Sequence, residues 1–354
     1  MFQPQRPHLR RPSPAPLTLA IGLALCAPAF ASGVEDDASK RDPAKDVDAV
    51  IVIGQRYLPD YQVRNTRGAT KTNTPLLDVP QAVTVVTDKL VADQAVTSLN
   101  ETFRYMLGVG TAQGEGNRDT PVMRGISSTG DFYVDGIRDD VQYFRDVYNL
   151  ERVEALKGPS AMIFGRGGTG GVINRVTRMA DGMNHRSGTL QLGSNQRRRG
   201  TLDFGQGFGE TAGFRVNAVV EDSQTFRDDG YLKRYGVNPS FNFDPGDATR
   251  VVLAYERFHD DRTTDRGVPS FDGRPLDTDP ATFFGNPKLS RTEADVDAFD
   301  VIINHAFSEG LNLRNHLRWA DYDKYYQNVF PSAVDATGAS VTLAAYRADT
   351  TRRN

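Results

Sequence analysis

From Met183 onward the chain alternates apolar and polar residues with a period of two over long stretches. In LNLRNHLRWA, Leu311, Leu313, Leu317 and Trp319 fall on one side, and Asn312, Arg314, His316 and Arg318 on the other. FRVNAVVED groups Phe214, Val216, Ala218 and Val220; YLKRYGVNPSFNF groups Tyr231, Tyr235, Val237, Phe241 and Phe243; DAFDVIINHAF groups Phe299, Val301, Ile303 and Phe307. A period of two is that of an extended strand whose two faces meet different surroundings. Strands of roughly 9–11 residues with one apolar face, one polar face and aromatic side chains toward the ends are the pattern of a membrane-spanning β-barrel. The connections agree. GFGETAG, DPGDAT and SEG are short turns, and longer loops lie between them, from Asp222 to Gly230 and from His259 to Thr292. Short turns on one side and long loops on the other predict a periplasmic and an extracellular end. A soluble β-sandwich also alternates, but it needs neither export nor this asymmetry of loops.

The N-terminus supplies the export. Arg6, His8, Arg10 and Arg11 form a basic head, PLTLAIGLALCAPAFA is an apolar run too short to span a membrane, and Ala29-Phe30-Ala31 is a small-x-small cleavage pattern. Residues 1–31 read as a secretory signal cleaved before Ser32. Cys26 is the only cysteine of the 354 residues, so the mature chain has no disulfide and no thiol chemistry. A formal charge of -3 argues against a protein that wraps nucleic acid, and 38% hydrophobic residues argue against a bundle of spanning helices. Residues 32–47, SGVEDDASKRDPAKDV, are a polar linker that cannot bury enough surface to fold. Asp48, Ala49, Val50, Ile51, Val52 and Ile53 follow as a short isolated β-branched run. It is either the first strand of the next domain or an exposed strand that a partner pairs with.

Residues 55–182 read as a compact α/β module. AVTVVT is a strand; Ser98 with Glu101 forms a capping box, after which Leu99, Phe103 and Met106 share a helical face that Gly108 closes. DFYVDGIRDD reads as two β segments around Asp135-Gly136. KGPSAMIFGRGGTGGVINRVTR contains a G-x-G-x-x-G pattern at Gly165, Gly167 and Gly170. A dinucleotide site needs such glycines to open a helix after a strand. Here PSAMIF is a short helix that precedes them and GGVINRVTR a strand that follows, and residues 185–202 hold no Asp or Glu for a ribose. Gly158, Gly165, Gly167, Gly168, Gly170 and Gly171 therefore read as structural, allowing tight turns and close packing against a barrel wall. The residues give an α/β domain followed by antiparallel transmembrane β-barrel strands, about seven of them before Phe330; resemblance to a known family, carried by the motifs that follow, makes the expected fold class an α/β plug domain with an incomplete barrel.

TNTPLLDVPQAVTVVTDKL, PVMRGI, FYVDGIRDD, NLERVEALKGPSAMIFGRGGTGGVIN and GVPSFDGRPLDTDPATFFGNP, in that order, resemble the N-terminal half of TonB-dependent outer-membrane receptors of the ferric-siderophore class. STGDFYVDGIRDDVQYFRD is most similar to receptors for catecholate siderophores. The resemblance implies a plug over residues 55–182, barrel from 183 to 354, a TonB box at 48–54, and a location in the outer membrane. It implies ferric siderophore as cargo, TonB as energising partner, no enzymatic activity, and no resident cofactor, iron being carried by the siderophore. Cobalamin, haem or a glycan is the alternative cargo. Such transporters have 22 strands, so the sequence is expected to be a fragment. The resemblance further places cargo on the outward apex loops of the plug, at Gln113, Glu115, Asn117, Arg118, Ser128, Thr129, Tyr143, Phe144 and Arg145, unless barrel loops alone do the binding. Arg124, Arg152, Arg166 and Arg175 either pair with barrel carboxylates or are solvated. Arg197-Arg198-Arg199 either meets lipopolysaccharide phosphates at the outer rim or is solvated. His185, His259, His305 and His316 show no metal-ligand spacing.

Overall fold

A computed structural model of the chain describes residues 61–354 apart from 140, 159, 160, 166, 167 and 169. The expected signal segment, linker and TonB box, together with Arg166 and Gly167, lie outside the described residues.

The N-terminal part opens with a ribbon of β1 (Asn65–Thr66) and β2 (Thr74–Pro75), then β3 (Ala82–Thr87), α1 (Asp88–Asp93) and α2 (Leu99–Thr102). β4 (Val109–Thr111), β5 (Pro121–Met123) and β6 (Ile126–Ser127) form a small three-stranded sheet. β7 (Phe132–Val134), β8 (Ile137–Arg138), β9 (Leu150–Lys157), α3 (Ala161–Phe164) and β10 (Gly171–Thr177) follow, and the central sheet has the order β3-β9-β10-β7-β8. Both faces of that sheet are covered. Val153 and Ala155 of β9 and Ile173 of β10 pack on Leu99, Phe103 and Met106, the helical face expected from sequence. Leu156 and Val172 point the other way, onto Tyr133 and Phe164.

The expected capping box forms only in part. Ser98 makes no capping bond; instead the carboxylate of Glu101 accepts the Thr97 N–H at 2.9 Å, and the Arg145 carbonyl accepts the Leu99 N–H at 2.8 Å. A tertiary contact thus does what the N-cap side chain usually does. The glycine stretch runs from helix to strand as read, but its close contacts are to the plug rather than to the barrel wall. A Cβ on Gly170 would stand 2.5 Å from the Met123 carbonyl oxygen, and one on Gly171 2.5 Å from that of Leu156.

The rest of the chain is one antiparallel sheet of eight strands: β11 (His185–Gly193), β12 (Arg197–Phe208), β13 (Ala212–Gln224), β14 (Tyr231–Gly246), β15 (Thr249–Thr263), β18 (Arg291–Ser308), β19 (Leu311–Val334) and β20 (Val341–Arg353). A hairpin of β16 (Ser270–Phe271) and β17 (Arg274–Pro275) sits in the loop between β15 and β18. Seven strands begin before Phe330, as counted, and β20 adds an eighth. β11 and β20 are the sheet's two edges, and it does not close on itself among the described residues. The strands outrun the expected length: β19 has 24 residues and β18 has 18. The long loops shrink accordingly to 225–230 and 264–290, while the tight turns at 209–211, 247–248 and 309–310 stay where the sequence placed them.

The face assignments hold. Phe214, Phe241, Leu253, Val301 and Leu317 lie in one row across five strands by register. Phe241, Phe299, Leu317 and Trp319 are exposed on the outer wall, whereas Phe258, Ala298, Ala320 and Tyr322 are buried on the inner one. A charge placed in the outer row would have to enter hydrocarbon. Val301→Arg is therefore expected to cost about 2–4 kcal/mol of membrane stability and Val301→Ala much less, as read by urea titration of the protein in lipid vesicles.

Candidate functional site: the plug apex and its seam with the barrel

The segment from Asp139 to Asn149 carries the most deeply buried ion pairs between the two parts. Asp146 sits between two arginines of the inner wall: Arg199 donates to its two carboxylate oxygens at 2.8 Å each, and Arg234 lies at 3.0 Å. Both arginines also donate to Glu221, at 2.8 and 2.6 Å. All four side chains are buried. Burial would raise the carboxyl of Asp146, but Arg234 and Arg199 outweigh it and hold it below the usual carboxylate range. Beside this network Tyr143 and Tyr148 enter an apolar cluster with Val219, Phe258, Ala298 and Tyr322 of the wall. The rings of Tyr148 and Phe258 stack with centroids 6.4 Å apart. Asn149 Nδ2 donates to Glu256 at 3.0 Å.

These contacts correct two expectations. Arg152 and Arg175 do not pair with barrel carboxylates: Arg152 bonds Glu154 at 2.9 Å and Arg175 bonds Asp139, both within the plug. Arg124 is exposed. The principal seam has the opposite polarity, a plug carboxylate held by barrel arginines, although Arg178 does approach Asp203 at 3.7 Å. Arg199, read from sequence as a rim or solvated residue, points inward because it is two positions from Arg197 on a strand whose odd-numbered residues there face the plug. Of the three, Arg198 alone lies on the outer wall, beside Asp222 and Lys233.

Of the residues expected to meet cargo, Arg145 and Tyr143 are withdrawn into the seam. Arg145 donates to Asp139 Oδ2 at 3.0 Å and to the carbonyls of Tyr143, Asp139 and Val141 at 3.1, 2.9 and 2.7 Å. Its guanidinium lies between the Phe132 and Tyr143 rings at 4.1 and 4.2 Å. Every direction of the planar fork is taken, so Arg145 orders the loop instead of offering charge outward. Burial pushes the Tyr143 hydroxyl up to about 12. Arg262 covers the ring of Phe144 at 4.3 Å. Ser128 donates to Asp131 at 2.6 Å, and Thr129 accepts from Gln142 at 2.9 Å.

Glu115, Asn117 and Arg118 do come together, in a cleft of about 300 Å3 that Gln142, Lys324 and Tyr326 also line. Gln113 is exposed and is not among the residues that line it. Arg118 donates to Glu115 at 2.8 Å. Lys324 Nζ donates to Asn117 Oδ1 and to the Gln142 carbonyl, bridging wall and plug. Tyr326 donates to the Glu115 carbonyl at 3.2 Å, and Arg266, from the loop after β15, reaches Glu115 at 3.7 Å and the Tyr326 hydroxyl at 3.0 Å. Lys324, Tyr326 and Arg266 were not singled out from sequence. The signal was present for the first two: in DYDKYYQN the period of two puts Tyr322, Lys324, Tyr326 and Asn328 on one face. Outside the cleft, strand register places His259, Glu293 and Asp295 within 4.8 Å of one another. Asp295 there already accepts from Arg257 and from His259, so the group is an ion-pair cluster of the wall.

The family described as TonB-dependent Receptor Plug Domain matches residues 75–172. The catecholate siderophore receptor Fiu of Escherichia coli O157:H7 is 32% identical over 276 residues, 72% of this chain and 36% of that protein. The probable TonB-dependent siderophore receptor PiuA of Acinetobacter baumannii is 29% identical over 258 residues, 70% of this chain and 35% of that protein. The open-form crystal structure of the ferric-catecholate import receptor Fiu from E. coli K12 superposes with a TM-score of 0.73 at 27% identity, over 84% of this chain and 47% of that one. The chain spans about a third of the length of the curated relatives it matches. It is a TonB-dependent receptor sequence, comprising the plug and strands of the antiparallel β-barrel.

Two expected outcomes follow from the buried charges. Removing Asp146 leaves Arg199 and Arg234 sharing one carboxylate, and unpaired buried charge costs about 3–5 kcal/mol. Asp146→Ala should therefore loosen the plug in the barrel, seen as faster proteolysis of residues 61–180 and a lower denaturation midpoint. Asp119 behaves differently. Burial raises its carboxyl to about 6, above an unfolded value near 3.9. Its contribution is fully present below about pH 4 and is lost as pH rises through about 6. Asp119→Asn, which stays neutral, should gain stability relative to the parent between pH 4.5 and 7.5; an unchanged difference in midpoint would reject this.

Proposed function

We propose that the protein is an outer-membrane receptor for ferric siderophores, energised by TonB, with iron entering as siderophore cargo and not as a resident metal. The observation that carries this reading is the apex cleft, where Glu115, Asn117 and Arg118 of the plug meet Lys324 and Tyr326 of the inner wall. A bulky anionic chelate offers oxygen acceptors to Arg118 and Lys324 and aromatic faces to Tyr326 and Tyr346. The names of Fiu and PiuA support a siderophore cargo, and that of Fiu a catecholate one. Gln113, Glu115, Asn117 and Arg118 are the cargo-facing residues of the plug, with Ser128, Thr129 and Phe144 in supporting loops. Tyr143 and Arg145 set the shape of the apex from below.

The outer membrane has no nucleotide supply of its own, so the work of moving the plug must come through a partner. Residues 48–54 are the segment we assign to TonB, which would pair with them as an added strand. The plug sheet then receives the pull at its N-terminal end. Lipopolysaccharide phosphates are assigned to the outer-wall cations Arg198 and Lys233.

Competition binding of the full-length protein against a panel of iron-loaded catecholates and hydroxamates, haem and cobalamin tests the cargo; binding of haem or cobalamin alone would overturn the reading. A proline at Val50 or Ile51 removes a main-chain donor from the added strand. Uptake of iron should then fall to background while cargo binding is unchanged, and normal uptake by either variant would reject the TonB assignment.

A further inference from the structure

Glu115 is held in an uncommon way. It has a φ of +54°, between Gly114 at +63° and Gly116 at +71°. Three successive left-handed residues are unusual, and for a glutamate this conformation is costly and has to be held from outside. Three contacts hold it: the carboxylate is 2.8 Å from Arg118 and 3.7 Å from Arg266, and the carbonyl accepts from Tyr326. The turn is also pressed against the loop that carries Arg266, since a Cβ on Gly116 would stand 2.4 Å from the Asp265 carbonyl oxygen. Arg266 itself is fixed by the Phe330 ring, 3.8 Å from its guanidinium.

The charges around this turn do not balance. Arg118, Arg266 and Lys324 converge on the cleft, and Glu115 is the carboxylate that Arg118 and Arg266 pair with there. Nor are the donors used up. Arg118 Nε, Arg266 Nε and Asn117 Nδ2 are buried and have no partner among the described residues; Asn117 is 2% exposed. A buried donor left without an acceptor costs about 1–3 kcal/mol, so three in one place mark a site built for more acceptors than Glu115 supplies. Arg118 Nε, Arg266 Nε and Asn117 Nδ2 are donors, and an oxygen-rich anion would supply the acceptors they lack.

We propose that the Glu115 carboxylate is an internal stand-in for the anionic group of the cargo, and that cargo binds by displacing it from Arg118 and Arg266. This rests on the reading of the cleft as the cargo site and adds two things to it. The cargo must carry net negative charge where it meets the apex. Its arrival also frees a strained turn, so that the 114–116 segment changes conformation as the seat is filled. A neutral chelate of the same size does not compete for the seat.

The test is Glu115→Gln in the full-length protein, with Glu115→Gly as a second variant that keeps the turn's conformation accessible should the amide disturb it. The probes are a ferric tris-catecholate of charge 3− and a neutral ferric trihydroxamate, followed by quenching of intrinsic fluorescence. Both variants should bind the anionic chelate roughly threefold to tenfold more tightly than the parent and the neutral one unchanged. Arg266→Ala should weaken the anionic chelate alone. Equal gains for both chelates, or no gain in either variant with an unaltered melting curve, would overturn the proposal. If the parent binds neither chelate, the siderophore reading fails separately. The seat is then tested with citrate and inorganic phosphate by thermal shift, where a larger shift in Glu115→Gln sustains it and an equal one rejects it.

Discussion

Four charged groups withdrawn from solvent, Asp146, Glu221, Arg199 and Arg234, fix how the two parts of this molecule meet. Removing ions from water is expensive, and the expense is offset only where geometry lets each charge find its complement. Asp146 can do so because the 139–149 segment is itself ordered by Arg145, whose donors bind the carbonyls of that same loop. The loop is tied back to α2 through the Arg145 carbonyl. A buried cation inside the plug thus positions a buried anion at its surface, and the anion positions the plug against the wall. The aromatic cluster of Tyr143, Tyr148, Phe258 and Tyr322 adds area to this contact, but its orientation follows from the charges.

The apex and the seam are built from the same residue types for different ends. In the seam Arg199 and Arg234 each meet both Asp146 and Glu221, and Arg197 lies 3.6 Å from Glu221. In the cleft, Arg118, Arg266 and Lys324 face Glu115, and donors remain. The first is a closed arrangement that resists change. The second lines a cleft of about 300 Å3 that is open toward a ligand. The conformation of Glu115 at the rim of the cleft adds a strained element where movement would be useful.

The wall contributes through alternation. Each strand presents apolar side chains outward, as at Phe241, Val301 and Leu317, and inward a mixed set that includes Arg199, Arg234, Glu256, Lys324 and Tyr326. Because the side-chain period is two, the register of one hairpin fixes which residues of the next meet the plug. Lys324 reaches Asn117, more than two hundred positions earlier in the chain, by this arrangement.

Local patterns determined much of this. The strand faces, the short turns at 209–211, 247–248 and 309–310, the helical face of Leu99, Phe103 and Met106, and the helix-to-strand order around the glycines are properties of neighbouring residues, and sequence alone suffices for them. The gathering of Glu115, Asn117 and Arg118 was legible because they share one short loop. What only the tertiary structure decided is the partner of each charge. Arg145 and Tyr143 looked available for cargo and are buried; Arg199 looked like a rim residue and is the anchor of the seam; Arg152 and Arg175 turned inward to plug carboxylates. Lys324 and Arg266 entered the site from strands and loops far along the chain. Coulomb energy depends on distance in space and on burial, and neither is encoded in spacing along the chain. Residue types therefore announced that ion pairs would form, and the fold alone chose which.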